Sequence, residues 1–188
     1  MAQKHEMGGY TNEPEWETLI SQEVIQSRIR DLAQEIAEQY VDKKLLVVCV
    51  LRGAFIFTAD ILREISTYLP DVEVDFIALS SYGEGEISSR APRFEKDLNT
   101  DIEGREVLIV EDIVDTGYSF EKLLKVLLAR NPKSLKTCAL LSKAARREVE
   151  VPIDFLGFSI EDRWVEGYGL DSNQKGRGRK EIVAKRQS

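Results

Sequence analysis

Val107-Leu108-Ile109-Val110-Glu111-Asp112-Ile113-Val114-Asp115-Thr116-Gly117-Tyr118-Ser119 is an apolar, β-branched run that ends in two carboxylates and gains a third three residues later. It then turns through small hydroxyl and glycine residues into a stretch that reads as an amphipathic helix over residues 118–129. Four apolar residues in succession predict a strand buried on both faces, with the acids delivered to its C-terminal end. Carboxylates hold hard cations, and free N–H groups at a helix N-terminus hold phosphates. The pattern points to a Mg²⁺-dependent phosphosugar or nucleotide site.

The surroundings supply a scaffold for that strand. Ser21 to Tyr40 predicts a helix, with Ser21 able to cap, Glu23 in the first turn and Val24, Ile25, Ile29, Leu32, Ala33 and Ile36 near helical spacing. Leu45 to Val50 is a wholly apolar strand, followed by Leu51-Arg52-Gly53 and a helix from about Ala54 to Tyr68. Further strands are expected at Val72 to Leu79, Leu135 to Leu141 and Pro152 to Phe158. Strands alternating with helices, and lacking polar interruptions, imply an α/β fold with a parallel sheet covered on both sides. In such sheets ligands bind beyond the carboxyl ends of the strands. Leu51-Arg52-Gly53, Ser81-Tyr82, Glu111 to Ser119 and Ser142-Lys143 all fall there. Residues 80–100 are polar, hold Gly83 and Gly85 and show no period, as expected of a functional or a disordered loop.

Composition narrows the classes. A chain of 188 residues with 43% hydrophobic content fits one domain with a real core. Cys49 and Cys138 each lie in an apolar strand without metal or redox spacing, so both are expected as buried free thiols in a reducing, cytoplasmic compartment. No apolar run is long enough for a membrane span, and the first residues lack the apolar segment of a secretory signal. The net charge of -7 argues against a general nucleic-acid binder. From Ser172 onward, however, six basic residues stand against the one acid Glu181, a tail expected to be mainly solvated, with part of it available to an anionic ligand. The single histidine, His5, lies in an expected disordered leader over residues 1–12, which excludes His-based nucleophile and zinc sites.

Each motif has a plainer reading. Glu111 and Asp112 could simply end a strand, and adjacent strand residues face opposite ways. Asp115 and Thr116 could simply cap a helix. Lys143 alone reads as a surface cation, Trp164 alone as core, and Asp171 alone as a turn residue. Their joint occurrence is what carries weight. The opening motif resembles the phosphoribosyl pyrophosphate signature of the type I phosphoribosyltransferases. Val50-Leu51-Arg52-Gly53-Ala54, Ser80-Ser81-Tyr82-Gly83, Leu140-Leu141-Ser142-Lys143 and Val165-Glu166-Gly167-Tyr168-Gly169-Leu170-Asp171 narrow the likeness to the hypoxanthine–guanine members. These landmarks keep the family's order from about Leu19 to Arg177.

The resemblance implies a type I phosphoribosyltransferase fold: a parallel sheet flanked by helices, with a small hood from the N- and C-terminal segments. Residues 150–180 would contribute to the hood and residues 80–100 would form a mobile lid. It implies Mg²⁺-dependent purine salvage, joining phosphoribosyl pyrophosphate to hypoxanthine or guanine in a homodimer or homotetramer, without nucleic acid or membrane. Glu111 and Asp112 would address the ribose and one Mg²⁺, and Asp171 a second. Asp115 would be the acid/base group at purine N7. Thr116, Gly117, Tyr118 and Ser119 would hold the 5′-phosphate. Leu51, Arg52 and Gly53, with a cis peptide before Arg52, and Arg177 would hold the pyrophosphate. Ser81 and Tyr82 would begin the lid. Lys143 would donate to the 6-oxo group, Trp164 would stack on the base, and the Val165 backbone would read the 2-position.

Some positions depart from the family pattern. Tyr118 occupies the phosphate loop where relatives often carry Lys or a small residue. Ser88-Ser89-Arg90 lacks a usual glycine, Lys175-Gly176 replaces an aromatic-rich stretch, and Glu166 adds a carboxylate beside the base pocket. Two other classes use similar parts. A non-catalytic regulator on this fold would lose the purine-facing set and carry a basic surface, whereas this body is acidic. A receiver-like signalling domain needs paired acids after its first strand, and here they come late.

Overall fold

The computed structural model describes residues 16–79 and 94–186. His5 and the leader, Ser81, Tyr82 and Ser88-Ser89-Arg90 lie outside the described residues. In chain order the elements are β1 (Trp16–Ile20), α1 (Gln22–Gln39), β2 (Leu45–Leu51), α2 (Phe55–Ser66), β3 (Glu73–Leu79) and β4 (Phe94–Lys96). Then follow β5 (Glu106–Val114), α3 (Tyr118–Leu128), β6 (Ser134–Ser142), a short 3₁₀ turn (Ala144–Arg146), β7 (Phe155–Ser159), β8 (Val165–Glu166) and β9 (Ile182–Lys185).

Six strands form the main sheet in the order β4-β3-β2-β5-β6-β7, and five of them are mutually parallel. The alternation of side chains decides which helix covers which face. Leu45 and Val47 of β2 and Leu108 and Val110 of β5 pack with Ile25, Ile29, Ile36, Phe57 and Ile61 of α1 and α2. Leu46, Val48, Val107 and Ile109 face the other way, onto Phe120, Leu123 and Leu127 of α3. Both faces are thus dry, which is why β2 and β5 carry unbroken apolar runs. Cys49 and Cys138 are buried free thiols. Ser21 caps α1 as expected: its hydroxyl accepts from the Val24 N–H at 3.4 Å.

The structure departs from the sequence reading in three places. Glu111 and Asp112 sit inside β5, which runs on to Val114 because Glu111 and Ile113 keep pairing with Ala139 and Leu141. The sheet is not wholly parallel: the aperiodic 80–100 stretch ends in β4, an antiparallel edge strand opposite Ala78 and Leu79, too short to show a period. The basic tail keeps Lys175, Lys180, Lys185 and Arg186 exposed, as expected, but is not solvated throughout. Ile182, Val183 and Ala184 are buried in β9, the middle strand of an antiparallel sheet ordered β1-β9-β8. This small sheet, built from the two ends of the chain, seats Val165, Ile182 and Ala184 on the α1/α2 side of the core. Among the described residues no helix is long and apolar enough to cross a membrane.

Candidate active site

The chain runs from β2 to β3 on one side of the sheet and places β5 on the other, so the strand order reverses between β2 and β5. Crevices at such reversals are the usual ligand sites of open α/β sheets. Cys49 pairs with Val110, which brings Leu51, the last residue of β2, and Arg52-Gly53 just beyond it alongside Glu111 and Asp112. The Leu51–Arg52 peptide is cis. The loop is packed tightly: a Cβ on Gly53 would lie 1.6 Å from Asp112 Oδ2. From the hood, Gly169 closes on the same loop, its own Cβ position lying 2.1 Å from the Gly53 carbonyl oxygen.

Glu111 and Asp112 are partly buried acids without a neutralising ion pair among the described residues. Burial, and then the charge of Asp112, push the Glu111 carboxyl well above the ordinary carboxylate range. Burial also raises Asp112, against the opposing pull of its hydrogen-bonding neighbours Glu111 and Ile113 and of the Arg177 charge. Two acids held in this way favour a cation, which would restore both to the ionised form.

At the end of β5 the turn changes character. Gly117 has φ +96° and lies against Val149, whose carbonyl oxygen would be 2.4 Å from an added Cβ. The Thr116 carbonyl accepts from the Glu148 and Val149 N–H groups, both at 3.0 Å, and so holds the turn from behind. None of the N–H groups of Thr116 to Ser119 donates to a described residue, leaving them open at the N-terminus of α3. Tyr118 is exposed there.

Val114 pairs with Ser142 and accepts from the Lys143 N–H at 3.0 Å, which sets Asp115 beside Lys143. The Lys143 side chain is 7% exposed and its Nζ lies 3.9 Å from Asp115 and 3.6 Å from Asp162. Arg146 bridges the same two acids, at 3.0 Å from Asp115 Oδ1 and 3.4 Å from Asp162. Its approach to Asp115 is off the hydrogen-bonding direction, so this buried Oδ1 has no hydrogen-bond partner among the described residues. Arg146 and Asp162 were not singled out from sequence. The signal for Arg146 was its place one short turn beyond the lysine at the end of β6. Asp162 had no signal beyond its nearness to Trp164.

In the hood, Asp171 and Arg177 meet: Arg177 Nη2 lies 2.6 Å from Asp171 Oδ1, and Arg177 also donates to the Gly169 carbonyl at 2.8 Å. Trp164 is exposed, whereas Val165 and Glu166 are buried. The candidate residues therefore form three groups: Arg52-Gly53 with Glu111-Asp112, Asp115 with Lys143, and Asp171 with Arg177.

This arrangement has close counterparts. The phosphoribosyl transferase domain family matches residues 15–173. The hypoxanthine phosphoribosyltransferase of Haemophilus influenzae is 48% identical over 164 residues, covering 86% of this chain and 90% of the relative. A solved hypoxanthine phosphoribosyltransferase of Trypanosoma cruzi superposes with a TM-score of 0.85 at 39% identity, over 90% of this chain and 91% of that one. A hypoxanthine-guanine phosphoribosyltransferase of Bacillus anthracis reaches 0.83 at 36% identity, over 91% and 98%. The chain belongs to the phosphoribosyl transferase family, in its hypoxanthine phosphoribosyltransferase branch, and is a transferase.

Proposed function

We propose that the enzyme transfers a 5-phosphoribosyl group from phosphoribosyl pyrophosphate to N9 of a 6-oxopurine, hypoxanthine or guanine, releasing pyrophosphate and the purine nucleotide. The observation that carries this reading is Asp115, whose buried Oδ1 lacks a hydrogen-bond donor beside the nearly buried Lys143. A carboxylate in want of a donor next to an ammonium in want of an acceptor complements a 6-oxopurine, which offers N7–H and O6 on one edge. Adenine would set an amino donor against Lys143 and leave the ammonium unpaired, a mismatch that discriminates strongly.

In the reaction the C1′–N9 bond forms as the C1′–O bond to pyrophosphate breaks, and the electron pair leaves with the pyrophosphate. Asp115 accepts the N7 proton as N9 attacks. General-base assistance of this kind contributes about 10²–10⁴-fold. The open N–H groups of Thr116 to Ser119 hold the 5′-phosphate. Arg52 and Gly53 on one side and Arg177 on the other hold the departing pyrophosphate, whose negative charge grows in the transition state. Trp164 supplies the stacking face and the Val165 backbone reads the 2-position. Ser81 and Tyr82, at the start of the polar loop, would help exclude water.

Mg²⁺ fits this donor set. Among the described residues no three acids, cysteines or histidines converge into an all-protein metal cage. Instead Glu111-Asp112 and Asp171 offer isolated carboxylates, and Mg²⁺ commonly takes one or two carboxylates and completes its shell with phosphate oxygens and water. When bound, the ion neutralises charge on the pyrophosphate and orients the ribose. Glu111 and Asp112 would hold one such ion and Asp171 another, Asp171 exchanging its contact with Arg177 to do so. A homodimer or homotetramer in the cytoplasm, free of nucleic acid and membrane, is the matching form.

Turnover with phosphoribosyl pyrophosphate and each of hypoxanthine, guanine, xanthine and adenine, with Mg²⁺ and then with chelator, tests the reading. Product from hypoxanthine or guanine that needs the ion and is absent with adenine is expected. Equal use of adenine, or no product from either 6-oxopurine, would overturn it.

A further inference from the structure

The outer face of the β1-β9-β8 sheet takes no part in the reaction above except through Trp164. Val165, Ile182 and Ala184 point into the core, so Trp164, Glu166 and Lys185 point outward. Trp16 pairs with Lys185, and the Lys185 N–H donates to the Trp164 carbonyl at 2.8 Å. An outward row of Trp16, Lys185 and Trp164 therefore crosses all three strands. The segment from Ser172 to Arg179 lies beside this row and forms with it a cavity of about 750 Å³ that is open to solvent on one side. Known small-molecule sites span about 300–1,000 Å³. Neither Asp115 nor Lys143 lines it.

Arg179 is the oriented cation of this cavity. The Glu166 side chain is 7% exposed and accepts from Arg179 Nε at 2.8 Å. Gly176 makes room for that carboxylate, since a Cβ there would lie 2.6 Å from Glu166 Cδ. The Nη groups of Arg179 donate to nothing among the described residues. A guanidinium fixed through Nε by a buried carboxylate, with both Nη groups unused, is preset for an anion. Lys175 and Lys185 line the same cavity, and among the described residues Glu166 is the one acid lining it. Arg179 neutralises that acid, so the two lysines leave the cavity cationic between two indoles.

We propose that this cavity is a second ligand site, sharing with the reaction centre only the Trp164 indole and using its opposite face, that takes a nucleoside monophosphate. The indoles of Trp16 and Trp164 would stack on the base, and Arg179, Lys175 and Lys185 would hold the phosphate. Because Trp164 directly precedes Val165, occupancy of this site bears on base binding at the reaction centre.

Equilibrium dialysis of guanosine monophosphate against the full chain tests the proposal. The wild type should bind two molecules per chain, one of them at the reaction centre. Arg179→Met and the double variant Lys175→Gln/Lys185→Gln should each weaken the second by at least about tenfold while leaving the first. The double variant keeps the Glu166–Arg179 pair, so it guards against a folding defect, and its turnover without added nucleotide should match the wild type. Guanosine, lacking the phosphate, should not fill the second site. Binding in the wild type, at one or two molecules per chain, that neither variant weakens would overturn the proposal. The readout is a difference in stoichiometry without turnover, so it stays legible even if the proposed reaction fails.

Discussion

Gly53 has no room for a methyl group, because the Asp112 carboxylate occupies the space a Cβ would take. The only relief for Gly53→Ala is to displace either a catalytic-edge acid or the loop itself. The expected outcome is a protein of near-normal stability with strongly impaired use of phosphoribosyl pyrophosphate, read from steady-state kinetics. Wild-type kinetics in this variant would remove the loop from the site. Asp115 and Lys143 are separable in the same way. Asp115→Asn keeps the shape but loses the proton acceptor, and turnover should fall about 10²–10⁴-fold while phosphoribosyl pyrophosphate still binds. Lys143→Ala should narrow the preference for 6-oxopurines over adenine, measured as the ratio of kcat/KM values. An unchanged ratio would sink its proposed role at O6.

Among the elements, the edge strand β4 depends on a single buried acid. Asp75 of β3 is 4% exposed and accepts from the Phe76 N–H at 2.7 Å and from the Asn99 and Thr100 N–H groups, both at 2.8 Å. Lys96 of β4 lies 3.6 Å away. Burial opposes the charge, but these donors prevail and hold the carboxyl below the ordinary range. A depressed carboxyl in the folded state stabilises the protein fully above the unfolded value of about 3.9. That contribution is lost as the pH falls through the lower, folded value. Asp75→Asn turns an amide donor toward one of these N–H groups, with an expected cost of about 1–3 kcal/mol. Denaturant melts of wild type and variant should therefore converge at low pH. A constant gap down to strongly acidic pH would count against this account. Periodicity revealed α1, β2 and β5 because each repeats its pattern over many residues. It missed β4, whose three residues have no pattern of their own and are held by Asp75 and the edge of β3.

Across the whole molecule, the hood is tied to the body by partly buried polar contacts as well as by packing. The Tyr168 hydroxyl donates to Asp60 of α2, and Gln26 of α1 donates to the same carboxylate at 3.1 Å. Tyr168→Phe should cost about 1 kcal/mol and speed hydrogen exchange in β8 and β9 ahead of the main sheet. Uniform protection across both sheets would show that the tie is dispensable. Local sequence was enough for the five parallel strands, the three helices and the acid-turn-helix motif at 107–119, because hydrophobic period and turn chemistry are properties of neighbouring residues; the short strands β1, β4, β8 and β9 escaped it. The family likeness assigned roles to single positions in the same way. Which of those residues meet is another matter. The quartet of Asp115, Lys143, Arg146 and Asp162 and the row that sets Trp16 beside Lys185 depend on strand register. So does the burial of Ile182, Val183 and Ala184 within the tail, since β9 is buried only once β1 and β8 flank it. Register is settled by burying the sheet faces as a whole, and no local stretch of chain carries that information.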